Sequence, residues 1–259
     1  MQRPLMDESL IYPAVEIIYG ASEPEKRWKT VGYAGPTDYA IITDVIFLPL
    51  HINNSSKETY ILKFLPFNIT PREGILKEMQ LQQTSAELGV APPVINAWFS
   101  SSGGVIVMRK LGTDAGTLLV EYKSLAVKQL IVANIMALIG KLHVHQISHG
   151  DVHFGNILTV AGEKSGIAVE SHSFLPIIGA DTDNQDVETI AYLRQGYRFY
   201  LIDFGEASRL SGIMSQDLLS IRSDYNRFGG SLYDLLNDYY SSEMRNVYET
   251  VLTITKQFE

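Results

Sequence analysis

Four groups of residues stand in a fixed order along this chain: Tyr60-Ile-Leu-Lys63, Glu78, His149-Gly-Asp-Val-His-Phe-Gly-Asn156 and Leu201-Ile-Asp-Phe-Gly205. Their side chains suit phosphoryl transfer, which depends on positioning the reactants and neutralising phosphate charge more than on covalent chemistry. A lysine in an apolar strand can be held against nucleotide phosphates, and a helical glutamate can pair with it and fix its direction. Asp151, on a loop, can accept or orient the proton of an attacking hydroxyl. Asn156 and Asp203, on two different loops, offer hard oxygen ligands for Mg²⁺.

These residues need elements that aim them. Arg27–Val31, Ala40–Leu50 and Thr59–Leu65 are rich in Ile, Val, Tyr and Thr and read as strands. The polar run His51–Lys57 reads as the connection of a hairpin. Thr70-Pro71-Arg72-Glu73 announces a helix that runs to Leu88 and is stopped by Gly89 and Pro92-Pro93. Two further strands follow, Val94–Phe99 and Gly104–Met108. After Leu111-Gly112 the pattern turns helical: Leu125, Leu130, Ile131, Ile135, Leu138, Ile139 and Leu142 recur mostly at three- and four-residue intervals, giving a long helix that ends near His145. Thr159–Gln195 is polar and weakly periodic and reads as a long loop, whereas Tyr225–Glu259 returns to helix. A strand-rich first part and a helix-rich second part predict an α+β chain of two lobes, 1–110 and 111–259.

Taken together, the four groups resemble the protein-kinase-like superfamily, whose members share a strand lysine, a helical glutamate, a loop with Asp and Asn, and an Asp-Phe-Gly triplet. The resemblance covers roughly residues 27 to 236. It implies a two-lobed kinase-like fold with ATP and Mg²⁺ (or Mn²⁺) bound between the lobes. It makes Lys63 the phosphate-anchoring lysine, Glu78 its ion-pair partner, Asp151 the catalytic aspartate, and Asn156 and Asp203 the metal ligands. Met108 falls at the position that gates the adenine pocket, and Arg109-Lys110-Leu111 at the hinge. Gly32 and Gly35, in Val31-Gly-Tyr-Ala-Gly-Pro-Thr-Asp-Tyr-Ala40, stand for the phosphate-binding glycine loop, although a third glycine is missing and Pro36 removes a backbone donor. Asp224-Tyr-Asn-Arg-Phe-Gly229 resembles the Asp-bearing start of a helix that braces the loop from behind.

The chain departs from ordinary protein kinases in informative ways. Its loop reads His-Gly-Asp-x-His, a variant that resembles RIO kinases, the small kinase of the tRNA-threonylcarbamoylating complex, and aminoglycoside and choline kinases. No Ala-Pro-Glu follows Asp203, and the helical lobe is short, so a minimal atypical kinase is implied, with Thr159–Gln195 as an insertion. His149 reads as a buried residue holding the loop, and His153 as a candidate replacement for the lysine that touches the transferred phosphate. A serine/threonine protein kinase is the favoured reading. A small-molecule kinase and a nucleotide-binding scaffold are the alternatives, and a partner protein that completes the shortened C-lobe is a further expectation.

Composition sets the outer bounds. The 259 residues carry 29 Asp+Glu against 21 Lys+Arg, a net charge of −8, which argues against nucleic-acid binding through bulk phosphate attraction. Cysteine is absent, which removes disulfides, thiolate metal sites and thiol nucleophiles and fits a reducing, cytoplasmic setting. Leu125–Leu142 is apolar but is interrupted by Lys128, Gln129 and Asn134, so a core helix is expected there and no membrane span.

Overall fold

A computed structural model of the chain describes residues 6–32, 35–37, 40–48, 59–162 and 187–256. The architecture is α+β, with one seven-stranded antiparallel sheet, two small strand pairs and, among the described residues, six α-helices. It divides into two compact units, Met1–Ala86 with Pro92–Lys110, and Glu87–Ala91 with Leu111–Glu259.

The first unit holds the large sheet: β1 (Glu16–Tyr19), β2 (Trp28–Thr30), β3 (Gly35–Pro36), β4 (Ile41–Phe47), β5 (Thr59–Pro66), β6 (Val94–Phe99) and β7 (Gly103–Arg109). The strand order is β1-β6-β7-β5-β4-β2, with β3 also paired to β4. β5 therefore lies between β4 and β7, with Lys63 opposite Ile42 on one side and Ile106 on the other. Both faces of β5 are buried, and its side chains alternate between two cores, as the period of a strand requires. Leu62 and Phe64 join Trp28, Trp98, Met6 and Ile11 on one face. Leu65 joins Ile75, Met79, Ala97 and Ile106 on the other. Lys63, two residues from Leu65, shares that second face, which α1 (Arg72–Glu87) covers. The N-terminal segment covers the first face and is pinned there by the Trp98 indole, which donates to the Ile11 carbonyl at 2.6 Å. β1 was not foreseen; it is a short strand whose pairing with β6 shifts register between Ile17 and Tyr19. The connection 51–57 lies outside the described residues.

Helix α1 starts after Pro71, whose carbonyl accepts from Ile75 N at 3.1 Å, and stops before Gly89, which adopts φ 72°. Its approach to the sheet is set by Gly104 on β7. A Cβ at that position would lie 2.4 Å from Ile75 Cγ2 and 3.3 Å from Met79 Cε.

In the second unit, α2 (Ala115–Glu121) and α3 (Leu125–Val144) precede β8 (Ile147–Ser148) and β9 (Ile157–Ala161). Then come α4 (Val187–Gln195), β10 (Tyr197–Leu201), β11 (Ser208–Arg209), α5 (Met214–Asp238) and α6 (Ser242–Thr255). α3 is the core helix, and among the described residues it alone is long and apolar enough to cross a membrane; 61% of that window is buried inside the protein. Its N-terminus is capped by Ser124, and the Glu188 carboxylate of α4 accepts from the backbone N–H of Lys123 (2.9 Å) and of Ser124.

Two expectations are corrected here. Thr159–Gln195 is not one long loop: residues up to Ala161 belong to β9, which pairs with β10, and Val187–Gln195 is helical. The sequence signal failed because β9 and β10 are short strands held by each other and α4 is a short helix held by its end contact. Residues 163–186 lie outside the described ones. The C-terminal helical region is likewise two helices, and the first begins at Met214, so Asp224 lies inside α5 instead of at its start. Tyr239 ends α5, and Ser241 caps α6 by accepting from Met244 N at 3.1 Å.

The Gly104 contact yields a test of how α1 is seated. Gly104→Ala should destabilise the protein by about 1–3 kcal/mol, the usual cost of overpacking a core. Urea unfolding reads it directly, and a variant as stable as wild type would mean that α1 can shift freely on the sheet.

Candidate functional site

Lys63 and Glu78 meet inside the first unit. Lys63 Nζ lies 2.6 Å from Glu78 Oε1, and the two side chains are only 9% and 3% exposed. Glu78 is placed by α1, one residue before Met79, which packs on the sheet. The pair is thus held from both ends, by strand register and by helix packing. Met108, on β7, is buried and receives a weak hydrogen bond from Gln82 Nε2 at 3.4 Å to sulfur. Gln82 lies one helical turn beyond Glu78, so the pair and Met108 line one side of α1. Lys110 is exposed and bridges to Asp44 on β4 at 2.7 Å.

Gly32 and Gly35 both lie beside β4, and Gly35 is itself in β3. Gly32 N donates to the Asp44 carbonyl at 3.3 Å, its own carbonyl accepts from Thr43 Oγ1, and Gly35 pairs with Ile42. The reversal of the chain lies beyond them, where Thr37 N donates to the Ala40 carbonyl at 2.8 Å. Asp38 and Tyr39 lie outside the described residues.

The other polar residues gather in the second unit. Asn156 Nδ2 donates both to the Asp151 carbonyl (3.0 Å) and to its Oδ2 (3.1 Å). That spends the amide N–H₂ on Asp151 and leaves Oδ1 as the oxygen a cation would use. The hairpin of β9 and β10 then brings in Asp203: Ile157 pairs with Leu201, and Ile202 N donates to the Asn156 carbonyl at 3.0 Å. Asp203, the next residue, adopts φ 64°. Left-handed backbone costs a non-glycine residue about 1–2 kcal/mol, and such outliers cluster at functional sites. The twist sends Phe204 fully into the core, edge-on to His149 at 4.9 Å between ring centres, and leaves Asp203 partly exposed.

The backbone before Asp151 is fixed by Asp224. Its Oδ2 accepts from Ser148 Oγ and His149 N, each at 2.9 Å, and its Oδ1 from Gly150 N at 2.7 Å. His143 Nε2, at the end of α3, lies 2.8 Å from Oδ2. Burial pushes this carboxyl up, but the hydrogen bonds from His143, Gly150 and His149 outweigh burial and hold its pKa below the usual carboxylate value. Gly150 adopts φ 81°, and a Cβ there would lie 2.6 Å from the Glu206 carbonyl. β8 and β11 pair across the same junction, Ser148 with Ser208. The segment that follows Asp203 is therefore held against the loop by backbone pairing as well as by the Phe204–His149 ring contact.

His149 is fully buried. Its Nε2 donates to the Ile202 carbonyl at 3.0 Å, and its Nδ1 accepts from Asp151 N at 3.3 Å. Burial lowers its pKa, and the nearby Asp224 carboxylate opposes that only in part. His153 caps the turn after it, Nδ1 accepting from Gly155 N at 3.1 Å, and sets Nε2 3.4 Å from Asp151 Oδ2.

The chain matches no protein-family model and no curated protein.

The structure brings together Lys63 with Glu78, and Asp151 with Asn156 and the strand leading to Asp203. One residue that sequence reasoning passed over also belongs here. Arg227, on α5, donates from Nη1 to Asp151 Oδ1 at 2.7 Å. No local pattern marks it, since its partner lies 76 positions away. The clue was its place three residues after Asp224, almost one helical turn.

Two outcomes follow. Glu78→Ala should cost roughly 3–5 kcal/mol by stranding a buried ammonium, whereas Lys63→Met combined with Glu78→Leu should restore most of it. A double-mutant cycle in urea unfolding checks this, and additivity would mean that the pair is not coupled. The second concerns pH. Because the folded pKa of His149 is depressed, its stability term is complete above about 6.5, the unfolded value, and is lost as pH falls below it. Unfolding free energy should decline as pH falls below about 6.5 with a slope of at most about 1.4 kcal/mol per unit from this group, and His149→Gln should flatten that slope. Asp224 acts only in a lower window, below about pH 4, since its depressed pKa withdraws stability there. An unchanged slope in the variant would exclude His149 as the source.

Proposed function

We propose that the chain is an ATP- and Mg²⁺-dependent phosphotransferase with a minimal kinase-like two-lobed fold, acting on serine or threonine hydroxyls of protein. The observation that carries this reading is the joining of Asp151, Asn156 and Asp203 by one side-chain bond and one hairpin register. The residues fit a divalent cation. Asn156 has its Oδ1 and Asp203 its carboxylate to offer as hard oxygen donors. Mg²⁺, or Mn²⁺, held there would neutralise phosphate charge. The buried Lys63–Glu78 pair supports the same reading, because it fixes an ammonium that can bind phosphate oxygens.

In the reaction, the acceptor oxygen bonds to the γ-phosphorus as the bond from that phosphorus to the bridging oxygen of ADP breaks. Asp151 orients the acceptor hydroxyl and takes its proton. His149 holds the backbone of Asp151, and Asp224 holds His149 and Gly150. Gly32 and Gly35 lie beside β4, on the stretch that would serve as the glycine loop. A cysteine-free chain accords with a reducing cytoplasmic setting.

The test is label transfer from γ-labelled ATP with Mg²⁺ to the chain itself, to a generic basic protein and to water, with nucleotide binding measured in parallel. Wild type should transfer label. Asp151→Ala should bind Mg-ATP normally yet transfer about 10²–10⁴-fold more slowly, and Asp203→Ala should lose metal-dependent binding. Chelation by EDTA should abolish transfer in wild type. Failure of wild type to bind nucleotide at all would overturn the reading and leave a scaffold.

A further inference from the structure

The loop 149–156 lacks a lysine. The position two residues after Asp151 holds His153, whose imidazole is committed to the loop itself, with Nδ1 on Gly155 N and Nε2 turned toward Asp151. Among the described residues, the permanent cation at the Asp151 carboxylate is Arg227, and it comes from another element.

Its placement is tightly determined. One turn of α5 grips the loop twice: Asp224 takes the N–H groups of His149 and Gly150, and Arg227 takes the side chain of Asp151. The next residue, Phe228, is fully buried and meets the Phe154 ring edge-on at 5.7 Å between centres, so the helix cannot rotate about its axis without breaking that contact. Asp151 Oδ1 belongs to Arg227 and Oδ2 to Asn156, which leaves the carboxylate no free torsion. The Arg227 side chain is 52% exposed, and among the described residues Asp151 is its one side-chain hydrogen-bond and ion-pair partner. A guanidinium has five N–H donors, so most of the fork faces outward beside Asp151. It also stays charged at every working pH, which a histidine does not.

We infer that Arg227 is the positioning residue for Asp151 and supplies, from α5, the positive charge that the loop lacks at the point of phosphoryl transfer. This rests on the phosphotransferase reading above. Proton transfer from the acceptor hydroxyl goes to Asp151, while Arg227 fixes the rotamer that receives it and keeps its own proton throughout.

The experiment compares wild type, Arg227→Ala and Arg227→Lys in the same label-transfer assay, with water, the chain itself and a generic basic protein as acceptors. Mg-ATP binding and melting temperature are recorded alongside. The expected result is a fall in kcat of about 10²-fold or more in Arg227→Ala, the scale of losing one oriented donor, with KM for ATP within about threefold of wild type. Arg227→Lys should recover part of the loss, and guanidinium chloride at tens of millimolar should raise the rate of Arg227→Ala at least about tenfold while leaving wild type unaffected. Because the side chain is half-exposed, both variants should melt with wild type. Transfer by Arg227→Ala within threefold of wild type would overturn this inference and leave the phosphotransferase reading intact. So would a loss that neither lysine nor guanidinium repairs and that comes with a lowered melting temperature, since Arg227 would then be merely structural. A wild type that neither binds nucleotide nor transfers label would sink both together.

Discussion

One buried carboxylate organises the helical unit. Asp224 is fully buried, and four groups converge on it: the His143 ring, the Ser148 hydroxyl and the amides of His149 and Gly150. A buried carboxylate left unpaired is very costly, and one surrounded by donors becomes a fixed point instead. The end of α3, strand β8 and the loop are all referred to that point. Where Asp151 stands follows from it, because a loop whose first two amides are tied has little freedom at the next residue, and Asn156 is bonded to Asp151 in turn.

The sheet unit solves a related problem by other means. A lysine in a doubly buried strand would ordinarily be excluded, since its charge has nowhere to go. Here the strand alternation puts Lys63 on the face covered by α1, and helix packing brings Glu78 to meet it. Gly104 sets how close that helix can come. A small residue on one strand thus governs the geometry of an ion pair on the neighbouring strand and its covering helix.

Much of this was legible in the residues because it rests on local rules. Pro71 and Gly89 mark the ends of α1, which runs over Arg72–Glu87, and the apolar spacing of α3 marks its core face, with the helix at Leu125–Val144. The α+β class followed from the same patterns. What escaped was whatever depends on distant partners. β9, β10 and α4 are short pieces stabilised by one another and by the end of α3, with no periodicity of their own to detect. Arg227 lies in a stretch of helix that reads as an ordinary solvated face until the Asp151 contact is seen. Gly32 and Gly35 are ambiguous in the sequence, since glycine suits a cradle for phosphate and a crowded strand pair equally well.

The distance in sequence between Asp224 and the groups it binds has a consequence for how the molecule comes into being. His149 and Gly150 wait for a partner that lies 75 and 74 residues further along. At ordinary synthesis rates that interval is roughly 4–15 s of ribosome time, during which the loop has strands and a helix beside it but no anion to close it. The sheet unit can be complete by then, because its partners all lie before Leu111. The start of the loop consequently takes its final shape only after Asp224 has been made, and any product ending short of Asp224 leaves the amides of His149 and Gly150 without the carboxylate that ties them.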